Sequence, residues 1–148
     1  MKKLTIMLVS LASALLAFGD NHTEVTITGN DTMMFDIKSF NASKGTNFKL
    51  TFKNTGKLPK IAMGHNLVIL KKGVSAIAFG QKVLASGGNA NNALPESVKG
   101  DVLAHTKLLG PGETEVINFK VPMEIGAYEY VCTFPGHFAM MRGVMEVE

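Results

Sequence analysis

Apolar and polar residues alternate with a period of two in five separate stretches. Val25 and Ile27 alternate with Glu24, Thr26 and Thr28, and Phe48, Leu50 and Phe52 with Lys49, Thr51 and Lys53. Ile117, Phe119 and Val121 face away from Asn118 and Lys120. Tyr128, Tyr130 and Cys132 oppose Glu129, and Met145 and Val147 oppose Val144, Glu146 and Glu148. Side chains of a strand point alternately to its two faces, so each stretch predicts a half-buried strand. After Asn66 the run to Leu70 is continuously apolar, the pattern of a strand covered on both sides. Turn signals separate these runs at Gly29-Asn30-Asp31, Lys44-Gly45, Asn54-Thr55-Gly56, Gly110-Pro111-Gly112 and Ile125-Gly126.

One stretch breaks the rhythm. Between Val74 and Ser86, Ala76, Phe79 and Val83 recur at helical spacing, as do Ile77, Gly80 and Leu84. This predicts a short helix with a wide apolar face, although Gly80 weakens it. A polar, glycine-rich loop follows from Ser86 to Asn92. Many short strands, frequent turns and one helical insertion define an all-β fold, a Greek-key β-sandwich or barrel.

Composition narrows the setting. The first nineteen residues carry Lys2 and Lys3, then an apolar stretch from Leu4 to Phe18 and a small-x-small site at Ala17-Phe18-Gly19. That is the pattern of a cleaved secretory signal peptide, leaving 20–148 as one domain in the periplasm. Without residues 1–19 the formal charge falls from +3 to +1. A near-neutral domain is a poor partner for nucleic acid, which is bound through excess Lys and Arg. The chain has a single cysteine, Cys132. One thiol cannot form an internal disulfide, and an exposed one outside the cytosol would oxidise.

The neighbours of Cys132 point to another role. Cys132, His137 and Met141 fall within ten residues, and Met63-Gly64-His65-Asn66 supplies a second imidazole upstream. Two imidazoles, one thiolate and a weak axial thioether form the ligand set of a blue-copper electron-transfer centre. Soft sulfur favours Cu(I) and imidazole suits both oxidation states, so a rigid mixed site serves both. Pro135 and Gly136 turn the loop so that His137 points back to the same ion. Gly64 leaves its own carbonyl uncrowded as a further weak axial oxygen. Asn66 is placed to tie the two ligand-bearing loops, and the backbone N–H groups of Asn66 and Phe134 are donors for the Cys132 sulfur. His137, on a loop, offers its ring edge as the route between metal and solvent. His22 and His105 have no second ligand at metal spacing. Four histidines are too few for the second copper cluster of a nitrite reductase or multicopper oxidase. Donors drawn from rigid segments also argue against copper storage or delivery, which calls for a labile site.

These residues resemble the azurins, small periplasmic blue-copper proteins related to the auracyanins and built on the cupredoxin fold. The likeness runs through Thr28–Phe35, Leu58–Asn66, Ala104–Gly110 and Cys132–His137. It implies a sandwich of about eight strands with a helical flap. It also implies one copper ion held by His65, Cys132 and His137, with Met141 rather than Met140 and the Gly64 carbonyl axial. The family pattern further implies an apolar partner patch of Met33, Leu58, Met63, Phe134, Pro135, Ala139 and Met140 around His137. Partners would be c-type cytochromes and periplasmic reductases or terminal oxidases, met by a monomer that catalyses no substrate chemistry. Three positions depart from the family. Thr23 and Thr46 stand where azurins carry a disulfide, an omission worth about 2–4 kcal/mol of stability. Asn54 stands where some azurins have a titrating histidine, and Leu67 where many have a core tryptophan.

Overall fold

A computed structural model describes residues 22–148. Residues 1–19, read as a signal peptide, lie outside the described residues. Among the described residues, nine strands form two sheets. The first contains β1 (Glu24–Asn30), β2 (Met34–Phe35), β4 (Asn47–Asn54) and β7 (Thr114–Lys120), in the order β2-β1-β4-β7. The second contains β3 (Ser39–Ala42), β5 (Val68–Leu70), β6 (Val102–His105), β8 (Gly126–Val131) and β9 (Arg142–Val147), in the order β3-β9-β8-β5-β6. Pairing is antiparallel except for β1 with β4 and β3 with β9. The helices are a single turn, α1 (Lys60–Met63), and α2 (Ala76–Ala85). Short 3-10 segments span Glu96–Asp101 and His137–Ala139.

The period-two faces pack together as the sandwich interior. Ile27, Phe48, Leu50, Phe52, Tyr128, Tyr130, Met145 and Val147 all enter one buried cluster. Aromatic rings knit the two sheets there, with Phe35 5.7 Å from Phe52 and 5.4 Å from Tyr130 between ring centroids, near the spacing at which edge-to-face contact is favourable.

The apolar run before Leu70 has a direct explanation. Leu67 and Ile69 face the sandwich interior, while Val68 and Leu70 face a second cluster with Ala76, Phe79, Val83 and Val98. The helix therefore covers the outer face of β5. Ser75 caps it, its hydroxyl accepting from the Ala78 N–H. The helix is two residues shorter at its start and one at its end than its sequence pattern. Its apolar face is also narrower, because Ile77 and Leu84 are each 40% exposed. Gly80, which weakens the helix by propensity, is buried against the Phe138 ring, and a Cβ there would collide with it.

Gly29 and Asn30 belong to β1, and the turn expected at 29–31 begins two residues later, at Asp31. The run from His65 is a strand only from Val68, with His65 forming an isolated bridge to Leu109. With β2, β3 and β6 the described residues hold nine strands, in keeping with the expected sandwich of about eight.

One end of this sandwich gathers the motifs. Asn30 and Asn54 end β1 and β4 there, Val131 ends β8, and Arg142 opens β9.

Candidate metal centre

Three donor-bearing side chains converge at that end. His65, Cys132 and His137 place one donor atom each within 4.8 Å of one another. The two imidazole Nδ1 atoms are 3.2 Å apart, and the Cys132 sulfur lies 3.6 Å from His137 Nδ1 and 4.0 Å from His65 Nδ1. All three side chains are buried, and so is Met141. They form the one such group among the described residues.

Local backbone geometry accounts for each position. Cys132 follows β8 and Met141 precedes β9, and the Cys132 N–H donates to the Met141 carbonyl at 2.9 Å, closing the base of the loop. Inside it, the His137 N–H donates to the Phe134 carbonyl at 3.0 Å across Pro135 and Gly136. Gly136 has φ 82°, a left-handed conformation that glycine adopts without penalty. Proline second and left-handed glycine third is the residue order of a type II turn. The Met141 N–H donates back to the His137 carbonyl at 2.8 Å, so the loop is pinned on itself.

His65 is held from the other side. It exchanges two backbone hydrogen bonds with Leu109, at 3.1 and 2.7 Å. The Asn66 side chain then bridges to the cysteine segment: its Nδ2 donates to Thr133 Oγ1 and its Oδ1 accepts from the Thr133 N–H, both at 2.8 Å. Asn54, itself buried, donates from Nδ2 to the Leu109 carbonyl at 3.0 Å and accepts from the Gly56 N–H at 2.9 Å. Every segment bearing a donor is thus cross-braced through buried hydrogen bonds.

Electrostatics explain what this cluster requires. Burial pushes the Cys132 thiol up to about 12, although the backbone N–H groups of Asn66 and Phe134 act the other way. Burial, with the neighbouring His65, pushes His137 down to about 4. His65 is also lowered, chiefly by burial, against the opposing pull of the Asn30 carbonyl and Asp31. Around neutral pH the cluster is therefore two neutral imidazoles and a thiol, with lone pairs crowded together. A bound cation satisfies such a donor set and displaces the thiol proton. A thiolate with two imidazoles is soft enough for copper and poorly suited to Mg or Ca.

Two glycines make room. Gly64 is buried, and a Cβ on it would lie 2.7 Å from the Lys60 carbonyl oxygen and 3.0 Å from the Leu108 side chain. A Cβ on Gly29 would collide with the Met141 methyl group. In the sequence Gly29 reads as part of a turn with Asn30 and Asp31, whereas it lies in β1. A glycine closing a regular strand alternation is the signal that marks close approach. Thr133, also missed, lies inside the motif, where its polar side chain beside the cysteine was the available clue.

The expected patch residues vary in exposure. Leu58 is 45% and Met140 56% exposed, Ala139 is exposed, and Met33, Met63 and Pro135 are half-buried. Phe134 is not on the surface: it is 6% exposed and packs its ring 4.5 Å from that of His137. Ile61, at 59% exposure in α1, was not anticipated. Asp31 joins two of these segments, its carboxylate accepting from the Lys57 N–H at 2.8 Å and the Leu58 N–H at 3.3 Å.

The fold and the centre together define a copper-binding β-sandwich protein. The family model of the plastocyanin/azurin copper-binding proteins matches residues 21–148, and the chain belongs to that family. The azurin of Alcaligenes faecalis is 41% identical over 129 residues, covering 84% of this chain and 97% of the relative. That of Achromobacter denitrificans is 39% identical over 152 aligned positions, covering 98% and 97%. Among solved structures, reduced auracyanin from Roseiflexus castenholzii superposes with a TM-score of 0.74 at 33% identity, covering 86% of this chain and 98% of that one. An azurin from Methylomonas sp. strain J gives 0.72 at 35% identity, covering 85% and 98%. Copper is the metal of this family, and His65, Cys132, His137 and Met141 are arranged as a type 1 site. The family supports a blue-copper electron carrier.

Proposed function

We propose that the chain is exported, loses residues 1–19, and works in the periplasm as a monomeric one-electron carrier for a single copper ion. His65, Cys132, His137 and Met141 would hold that ion, with the Gly64 carbonyl as a further weak oxygen donor. The observation that carries the reading is the convergence of two Nδ1 atoms and one sulfur, all buried, in a hydrogen-bonded frame. Bound copper supplies a reversible change of one electron between its monovalent and divalent states. The protein's contribution is to keep donor positions the same in both states. Asn66 and Thr133 fix the spacing between the histidine and cysteine segments, the N–H groups of Asn66 and Phe134 steady the thiolate, and the buried shell excludes water.

The His137 edge is the proposed exit, and Met33, Leu58, Met63, Pro135, Ala139 and Met140 form the contact face around it. Redox encounters of this type are small and short-lived. Partners are redox proteins such as c-type cytochromes and terminal reductases or oxidases. A carrier is favoured over an enzyme because the remaining histidines do not gather: His22 pairs with Glu148 at 3.7 Å, near the opposite end of the sandwich, while His105 ends β6. The test is electron exchange between the copper-loaded protein and a reduced c-type cytochrome. Met63→Lys is expected to slow it by about tenfold, through desolvation of a charge in the contact, with the copper spectrum intact. An unchanged rate would remove this face from the mechanism.

A further inference from the structure

His22 stands apart from the copper centre, near the opposite end of the sandwich, and it is the third residue of the processed chain. Removal of residues 1–19 leaves Asp20-Asn21-His22 as the new N-terminus. A run that begins with a free amine and has histidine third carries four nitrogens in sequence. They are the amine, the amide nitrogens of Asn21 and His22, and the His22 imidazole Nδ1. Neither Asn21 nor His22 is proline, so both amides have a proton to give up. With those protons gone, the four atoms close fused chelate rings around one ion in a single plane. Consecutive backbone atoms make the rings, so the chelate asks no fold of Asp20 and Asn21, which precede the described residues.

The structure shows a histidine suited to this role. Its side chain is 42% exposed, and its Nε2 lies 3.7 Å from Oε1 of Glu148, while Nδ1 makes no hydrogen bond to a described residue. Metal-bound histidines set the other ring N–H against a carboxylate or carbonyl, which fixes the tautomer that leaves the ligating nitrogen free. Glu148 is itself held, its Oε1 accepting from Asn41 Nδ2 at 3.3 Å and its carbonyl from the Lys44 N–H at 2.9 Å. The His22 carbonyl accepts from the Ser43 N–H at 3.0 Å, a bond that chelation leaves intact. Only the bond from the His22 N–H to Ser43 Oγ, at 3.1 Å, is given up, and that hydroxyl can turn to water. We propose that the processed chain carries a second metal site at its N-terminus, formed by Asp20, Asn21 and His22, for Cu(II) or Ni(II). Nitrogen donors in a square plane suit those two ions among the first-row divalent metals. The inference rests on the reading that residues 1–19 are removed, because before that cut Asp20 has no free amine. Binding releases the two amide protons and the proton of the amine, so the affinity falls steeply with acidity. Anionic nitrogen favours the divalent state, unlike the soft sulfur of the buried centre, so copper held here stays Cu(II) when the centre is reduced.

The experiment uses protein purified from cells that export and process it, with its N-terminus read by mass spectrometry. The buried centre is first loaded with one equivalent of copper under mildly acidic conditions, where the chelate keeps its amide protons. Ni(II) is then added at neutral to mildly basic pH. One Ni(II) per chain is expected, yellow and diamagnetic as square-planar nickel is, with protons released on binding and the metal lost on acidification. With Cu(II) in place of Ni(II), a second EPR signal split by several nitrogens should appear and survive a reductant that bleaches the centre. His22→Gln should take up no square-planar nickel. One alanine added ahead of Asp20 moves the histidine to fourth place without touching the described fold, and it should have the same effect. A chain that begins at Asp20 yet binds no nickel, or binds it equally well in both variants, would overturn the site and leave the processing reading intact. A chain found to begin elsewhere would overturn that reading and the site with it, so the two failures are told apart.

Discussion

At the scale of single residues, the centre depends as much on what is missing as on what is present. Gly29 bears no side chain where a Cβ would strike the Met141 methyl. Gly29→Ala should displace that thioether, change the visible and EPR spectra of the copper form, and cost about 1–3 kcal/mol from overpacking. A variant with wild-type spectra would show that the Met141 position does not depend on Gly29. Asn54 makes a second point. Its amide braces Leu109 and Gly56 without titrating. The reduction potential should therefore be nearly flat between about pH 5 and 8, the range in which an unperturbed histidine changes charge. Protein-film voltammetry checks this, and a clear sigmoid inside the flat window would contradict it.

At the scale of elements, the position of each ligand follows from strand ends and one helix. The 3-10 turn His137–Ala139 places Phe138 against α2, where Gly80 makes space for the ring. Gly80→Ala pits about 1 kcal/mol of gained helix propensity against a collision with a ring that cannot swing away. The expected result is a net loss of about 1–2 kcal/mol in chemical denaturation, with a perturbed copper spectrum, because Phe138 follows His137 in the chain. A more stable variant would show that the ring moves freely. The same elements show how far the sequence carried. The five alternating stretches were legible because long strands with one face in the core repeat faithfully. The strands β2, β3 and β6 were not, since two to four residues are too few for a period to register. Gly29 was assigned to a turn and Gly80 counted against the helix, because the reason for each lies in a residue distant in sequence, Met141 and Phe138. The parallel pairings of β1 with β4 and β3 with β9 left no local trace for the same reason. The metal cluster was legible because three of its four side chains sit in one short motif, whereas the Thr133 bridge needed the spatial neighbour Asn66.

At the scale of the whole molecule, the sandwich divides its work between its ends. Its interior aromatic and aliphatic contacts run along the two sheets, while the four donors, the buried hydrogen-bonded braces and the proposed contact face gather where β1, β4 and β8 end and β9 begins. The far end carries the β3–β4 turn, the end of β7 and the contact of His22 with Glu148. No helix among the described residues is long and apolar enough to cross a membrane. The interior supplies rigidity, and the centre uses it to hold one donor arrangement through a change of charge. That claim requires a sulfur anion bonded to copper in the oxidised protein. The most direct measurement is a titration of the metal-free protein with Cu(II), followed by visible absorption. An intense band should grow to one equivalent, bleach on reduction, return on reoxidation, and be missing from Cys132→Ser. A colourless wild-type complex, or a Cys132→Ser complex with the same band, would contradict the account.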